Sequence, residues 1–456
     1  MSNQYAGGFI SKTPPTVTTS SAQGMWTLSQ QAQYQKEGVW PVYELHWISI
    51  LGVSGQSSDA GNIKLDSSGN VYISGNNSYI YPSVSILAEY SPTATLSFQK
   101  AYNFSTYYGN MAWVNNDNTS DFYLCGNYWH SNHTAPHIIK LNSSGVLQWE
   151  AGLDSGGYSS FYACSVDSSG NVYAVGQASI SGNNPAIIVK YNSSGTIQWQ
   201  KQTGYATVSC QSCLVDSSGD LIVCGTGAGY SGAYLFKVFS TGASVSWVNT
   251  ISNGSTPVIG LCVASDSSNN IYFCGGTDYD SPNKANIFKV DSSGAYLWKK
   301  SLTNASGSTF RGVAVDSANN VYVCGNASIS GRSNGIIAKY NSSGTIQWQR
   351  YLDDGRGVVF SKIKISGSKI YVTGTSAPVS GTQYQLTCVL ATDGSLSGTY
   401  TIGSYTYTYG ASSLTDGASS LSLSSSSLSL SNAGMTSDSQ TVTENTSTLT
   451  STVTLI

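Results

Sequence analysis

One phrase, Val-Asp-Ser-Ser-Gly-Asn-Val-Tyr-x-x-Gly, returns seven times along the chain, intact or degraded. It closes on Gly75, Gly126, Gly176, Gly225, Gly275, Gly325 and Gly374, which are spaced 49–51 residues apart. A second phrase follows it, clearest over residues 187–199 and again at 138–149, 287–298 and 336–348. A period this regular confines the chain to a repeat architecture, in which each unit buries its apolar face against the next.

Each unit reads as four strands, a to d. In the sixth unit these are residues 313–316, 320–325, 336–340 and 345–348. Ile346 and Trp348 alternate with polar neighbours, the period of a strand with one buried face. The joints Asp-Ser-Ser-Gly-Asn and Asn-Ser-Ser-Gly are hairpin turns in which glycine takes positive φ cheaply. Four-stranded units at this period define an all-β, seven-bladed β-propeller. The d-strand aromatics are Phe98, Trp149, Trp199, Trp247, Trp298 and Trp348; one step forward lands on Gly398, one step back on Trp47. Residues 43–50 are therefore expected to supply the outer strand of the last blade and close the ring.

Composition removes other classes. Only 9 % of the 456 residues are charged and the net charge is −3, so no cationic face suits a nucleic acid. No run of 18 apolar residues spans a membrane as a helix. The start of the chain has neither the basic nor the apolar segment of a signal peptide. The expected organisation is an arm with a short helix over 1–42, the propeller over 43–402, and a Ser/Thr/Leu-rich tail over 403–456. The tail reads as extra propeller strands, an oligomerisation strand or partly disordered chain; the sequence does not choose.

Groups that recur once per blade read as scaffold. Asp66, Asp117, Asp167, Asp216, Asp266 and Asp316 fit turn capping. One carboxylate per loop is too few oxygens for calcium. Cysteines at repeated interior positions behave as small apolar side chains. His130, His133 and His137 fall within eight residues and form a weak metal candidate. No cofactor is expected. The run Gly225-Thr-Gly-Ala-Gly229 lacks the helix that a dinucleotide site needs.

The a–b and c–d turns share one rim and are nearly invariant; the b–c and d–a loops share the other and vary. Variable loops on a rigid scaffold are the usual seat of recognition. The candidate ligand face is Tyr79, Tyr81, Tyr107, Tyr108, Tyr128, Trp129, His130, His133, Tyr158, Tyr205, Tyr230, Tyr279, Arg332 and Arg356. Flat aromatics beside polar orienting groups suit a glycan or protein surface.

The units over 51–394, with the Trp47 strand, resemble the seven-bladed propellers of the bacterial β-propeller-repeat and quinoprotein-like group. That resemblance implies architecture and transfers no quinone site. The strings Gly8-Phe-Ile-Ser-Lys-Thr-Pro-Pro, Gly24-Met-Trp-Thr-Leu-Ser-Gln-Gln and Gly38-Val-Trp-Pro resemble the leader of structural proteins of marine tailed phages. It implies a non-enzymatic virion protein anchored through Phe9, Trp26, Leu28 and Trp40 to other virion proteins. Such a protein would present the propeller to a host-surface glycan or protein, with homo-oligomerisation open. The alternatives are a decoration protein without host recognition, a bacterial surface lectin, and a polysaccharide-active enzyme using Asp278, Asp280, Asp353 or Asp354.

Overall fold

The computed structural model describes residues 45–456, apart from 53–56, 78–83, 105–108, 117–120, 205–207, 228–231, 253–257, 278–282, 304–305, 380–381, 426–427, 434, 439–441, 447–449 and 456. The expected arm and short helix over 1–42 and the anchor residues Phe9, Trp26, Leu28 and Trp40 lie outside the described residues. Contacts divide the chain into two units, Met1–Leu45 and His46–Ile456. Among the described residues of the second unit there is no helix.

The second unit is a propeller of seven antiparallel blades. Blade 6 shows the pattern: a is Ser308–Val315, b Val321–Ile329, c Arg332–Tyr340 and d Ile346–Asp353. Strands b and c are buried on both faces because each blade lies between two others. Strand b of blade 1, Val71–Asn77, is buried at every position.

The closing glycine of each repeat has a packing cause. Strand a carries a bulge, between Phe161 and Ala163 in blade 3 and between Phe310 and Gly312 in blade 6. The bulge pushes the strand-a backbone against the glycine of strand b. A Cβ on Gly325 would lie 1.9 Å from the carbonyl oxygen of Thr309, so only glycine fits.

The repeated tryptophan joins each of blades 2 to 6 to the next. Trp298 Nε1 donates to the carbonyl of Ser342 at 3.0 Å, and Lys289 Nζ donates to that same carbonyl at 3.2 Å. Trp199 with Lys190, and Trp348 with Lys339, repeat this on Ser240 and Thr392. These lysines also lie over tyrosine rings of their own blades, at 4.8–5.0 Å from the centroid for Lys190, Lys289 and Lys339. Asp66, Asp167, Asp216, Asp266 and Asp316 cap their a–b turns, whereas Asp117 lies outside the described residues. Asp316 accepts from the amides of Ala318 and Asn320, Asn320 Nδ2 and the Tyr322 hydroxyl.

The ring closes through Trp47–Gly52, which pairs antiparallel with strand c of blade 7, Thr382–Ala391. Trp47 is the aromatic at the joint, its ring 5.3 Å from that of Tyr90 in blade 1. Two details differ from expectation. The strand starts at Trp47, not residue 43, although 43–44 lie outside the described residues. It is also not outermost, because Thr450–Leu455 pairs with its far edge.

That outer strand belongs to a belt. After blade 7 the chain reverses and lays a further strand on the edge of every blade. Tyr405–Ala411, backed by Gly398–Ile402, covers blade 6; Thr415–Gly417 covers blade 5 and Ser422–Ser425 blade 4. Leu430–Asn432, Thr436–Asp438 and Val442–Thr446 cover blades 3, 2 and 1, and Thr450–Leu455 finishes on blade 7. The tail thus takes the first of its three sequence readings, extra strands on the propeller. Each d-strand edge, which would otherwise present unpaired N–H and C=O groups, is occupied.

Candidate functional site

Of the candidate face, Tyr79, Tyr81, Tyr107, Tyr108, Tyr205, Tyr230 and Tyr279 lie outside the described residues. The remaining candidates fall on two parts of the ring. Tyr128, Trp129, His130, His133 and Tyr158 belong to blade 2 and its link to blade 3. Arg332 belongs to the b–c hairpin of blade 6, and Arg356 to the link from blade 6 to blade 7; both are exposed.

Blade 2 builds its cluster on a long hairpin. Its b strand, Phe122–His130, and c strand, His133–Leu141, run to nine residues each and turn at Ser131-Asn132, with Ser131 at φ 54°. The tip lifts Trp129 and His130 beside the end of strand d, Leu147–Asp154. His133 Nε2 lies 2.8 Å from Asp154 Oδ1, and His130 Nδ1 lies 3.5 Å from Asp154 Oδ2. Asn132 Oδ1 lies 3.0 Å from His133 Nδ1 and orients the ring. Burial works against the Asp154 carboxylate. The Gly156 amide and the two imidazoles outweigh it and hold the carboxyl below its usual range.

Beyond this cluster the Trp129 ring meets Tyr158 edge-on at 6.0 Å, and Tyr158 is 62 % exposed. Trp129 Nε1 donates to the Ser131 carbonyl at 3.1 Å, which fixes the indole on the hairpin. The result is an aromatic ridge, with Tyr158 exposed and Trp129 half-buried, beside two imidazoles and a carboxylate.

Tyr128 is a correction. It is completely buried and packs edge-on against His137 at 5.3 Å, inside the blade, and cannot touch a ligand. Alternation along strand b explains it: with Trp129 facing out at the tip, Tyr128 faces in. The histidine trio also changes membership. His137 is fully buried, with Nε2 3.5 Å from Glu150, and burial lowers its basicity. The set whose ligand atoms converge within 4.8 Å is His130, His133 and Asp154. Two imidazoles and a carboxylate are donors suited to a transition metal.

Asp154 is absent from the sequence-based candidates, yet the repeat contains its signal. Leu153-Asp154-Ser-Gly and Leu352-Asp353-Asp-Gly are equivalent, 199 residues apart. Arg332 then occupies the place of His133, and its Nη2 lies 3.5 Å from Asp353 Oδ2. Both aspartates accept a 2.8 Å hydrogen bond from the amide two residues on, Gly156 and Gly355. One brace thus ties hairpin tip to strand end twice, with imidazoles in blade 2 and a guanidinium in blade 6.

The paired Asp353 and Asp354 are not solvated loop carboxylates. Asp354 is buried and accepts from the amides of Arg356, Gly357 and Ala377 and from the Ser376 hydroxyl. Its oxygens are committed to holding the blade 6–7 link. Asp278 and Asp280 lie outside the described residues. All nine cysteines are buried and free. Cys262 and Cys274 are direct cross-strand partners, whereas Cys213 and Cys224 pair with Val223 and Ser212.

No protein-family model and no curated protein matches the chain. Solved structures share the fold. An ulvan lyase of a new polysaccharide lyase family, bound to a GlcA–Rha3S saccharide, superposes with a TM-score of 0.50 at 9 % identity, over 74 % of this chain and 93 % of that one. The polysaccharide lyase Uly1 gives 0.47 at 10 % identity, over 73 % and 89 %. A Bacteroides caccae protein of unknown function gives 0.42 at 12 % identity, over 70 % and 98 %. At such identities the likeness is one of fold, and propellers host many functions.

Proposed function

We propose that the protein is a non-enzymatic recognition module, a propeller that holds a glycan or protein surface on its variable rim. The observation that carries this reading is the Trp129–Tyr158 ridge. The exposed Tyr158 and the half-buried Trp129, set edge-on, offer flat apolar faces, with His130 beside them as a polar group. Asp353 and Asp354, the described members of the alternative catalytic set, are engaged in bracing and turn capping. The phage-like leader supports a location on a virion, with residues 1–42 as the anchor and the rim directed at the host surface. Several copies per particle would add avidity.

Retention on immobilised host polysaccharide tests the reading. The full chain should be retained without releasing reducing sugar, and W129A and Y158A should each weaken retention roughly tenfold. Release of reducing sugar that is lost in D353N would instead favour the enzyme. Peptide mass spectrometry of density-purified particles tests the location: stoichiometric peptides from 51–394 support the virion, and their absence removes it.

A further inference from the structure

The seven a strands surround the propeller axis. In chain order they are Ser58–Leu65, Gly109–Asn116, Ser159–Val166, Val208–Val215, Val258–Ser265, Ser308–Val315 and Val358–Ser366. Their ionisable charges are four cations, Lys64, Arg311, Lys362 and Lys364, against one carboxylate, Asp59. In a chain of net charge −3 this is a local reversal of sign.

The half of the axis nearest the a–b turns is a cavity of about 680 Å³, lined by Lys64, Lys362 and Lys364 together with Asn62, Ser165 and Ser212. Blades 7 and 1 are neighbours, so the three ammonium groups enter from one side. Lys362 Nζ donates to the carbonyl of Arg311 at 3.4 Å. Among the described residues, no hydrogen bond or ion pair reaches Lys64 or Lys364. Each feels another lysine: Lys364 acts on Lys64, and Lys362 on Lys364. Asp66, at the mouth, spends its oxygens on the amides of Ser68 and Asn70, on Asn70 Nδ2 and on the Tyr72 hydroxyl. Among the described residues the other titratable groups acting with these lysines include thiols: Cys164 with Lys64, Cys262 with Lys362 and Lys364, and Cys224, Cys274 and Cys324 with Lys362.

We propose that this axial cavity is an anion site, which takes a small oxyanion (phosphate, sulfate or carboxylate) between Lys64, Lys362 and Lys364. Lys64 and Lys364, gathered in one cavity, repel each other, and among the described residues no carboxylate pairs with either ammonium. An oxyanion supplies both the charge and the acceptor oxygens. Serine hydroxyls and the Asn62 amide around the cavity can donate to the remaining oxygens. The site lies on the axis, apart from the aromatic ridge of the rim, and does not depend on the function proposed for that ridge.

Thermal melts of the full chain test the proposal, with sodium phosphate, sulfate or glucuronate titrated against chloride at constant ionic strength. The expected result is a saturable rise in melting temperature with an oxyanion and none with chloride. Inorganic phosphate or sulfate acting alone assigns a free ion, whereas a stronger response to glucuronate assigns an acidic sugar. K64M/K364M should weaken the response at least roughly tenfold. Absence of a saturable response in the unaltered protein, or its survival in K64M/K364M, overturns the proposal. Should that variant not fold, selenate soaked into crystals of the unaltered chain decides: an anomalous peak among the three lysines is expected, and none would refute the site.

Discussion

Trp47 and Leu455, more than four hundred positions apart, are register partners in one sheet. Trp47–Gly52 pairs on its other side with Thr382–Ala391, so the closing blade joins three distant stretches of chain. The ring is latched once by the early strand and again by the end of the belt.

Ending the chain after Ala411 would strip the added strand from six blades and leave blade 6 covered. Bare edges pair with other chains, and two of those exposed, Trp47–Gly52 and Val245–Ser252, carry no charge. The shortened protein should self-associate more than the full chain, as read by light scattering after size exclusion. Tyr407 is wholly buried, with its hydroxyl 2.7 Å from that of Ser376. Y407A should cost about 3–5 kcal/mol in urea unfolding, the usual loss for a large buried aromatic.

The blade-to-blade joint makes a sharper prediction. Gly344 sits at φ +80°, and a Cβ there would lie 2.8 Å from Trp298 Cδ2. Gly331 has φ +78° but open space around it. G331A therefore bears backbone strain alone, about 1–2 kcal/mol. G344A bears the strain and the collision with the indole, about 2–4 kcal/mol. Urea unfolding of the two variants separates these contributions.

Thiol reactivity should report the core. Burial pushes the thiols of Cys213, Cys224 and Cys274 upward and keeps them protonated. At Cys262 burial acts the same way, but the Lys362 ammonium and the Val313 amide outweigh it and the thiol is held lower. Native protein should react slowly with a thiol reagent, Cys262 first, and all nine cysteines should react on unfolding. Peptide mapping after timed labelling checks the order.

Lys64 predicts an alkaline gain in stability. Burial, with repulsion from Lys364 added, lowers its pKa to about 7, whereas an unfolded lysine titrates near about 10.4. Below pH 7 both states hold the proton and the cost of the buried charge is fully present. Between about pH 7 and 10 the unfolded chain holds more protons, so stability rises with pH. The melting temperature should climb from pH 7 to 9 and flatten in K64M. Above about pH 10 the buried tyrosines, whose hydroxyls burial holds protonated, oppose the gain.

The two versions of the brace can be exchanged. H133A removes a partner from Asp154 and should cost about 1 kcal/mol, since the pair is partly solvated. H133R installs the blade 6 arrangement and should recover the loss. Because Asp154 titrates below its unfolded value, its contribution is present above about pH 4 and fades as the carboxyl protonates. Melting temperatures at pH 3 and 7 check both points.

Much of this protein was legible in its residues because the repeat multiplies each signal. Seven glycines at one spacing point to seven strands with one backbone approach, and an aromatic per unit, tryptophan in all but Phe98, points to one joint per blade. Trp47 identifies the closing strand because it alone completes that series. The tail resisted such reading. Residues 412–455 have no period of their own, since each short strand takes its register from the blade edge it meets.

The site divides in the same way. Local alternation and turn chemistry decide that Trp129 and His130 reach the rim, and they follow from sequence. The same alternation turns Tyr128 inward. The pairing of strands c and d within blade 2 brings His133 to Asp154, and ring closure brings Lys64 to Lys364 across 300 positions. A one-dimensional repeat fixes what each blade is. Only wrapping the blades around an axis fixes which charges share a cavity, because distance through space then no longer follows distance along the chain.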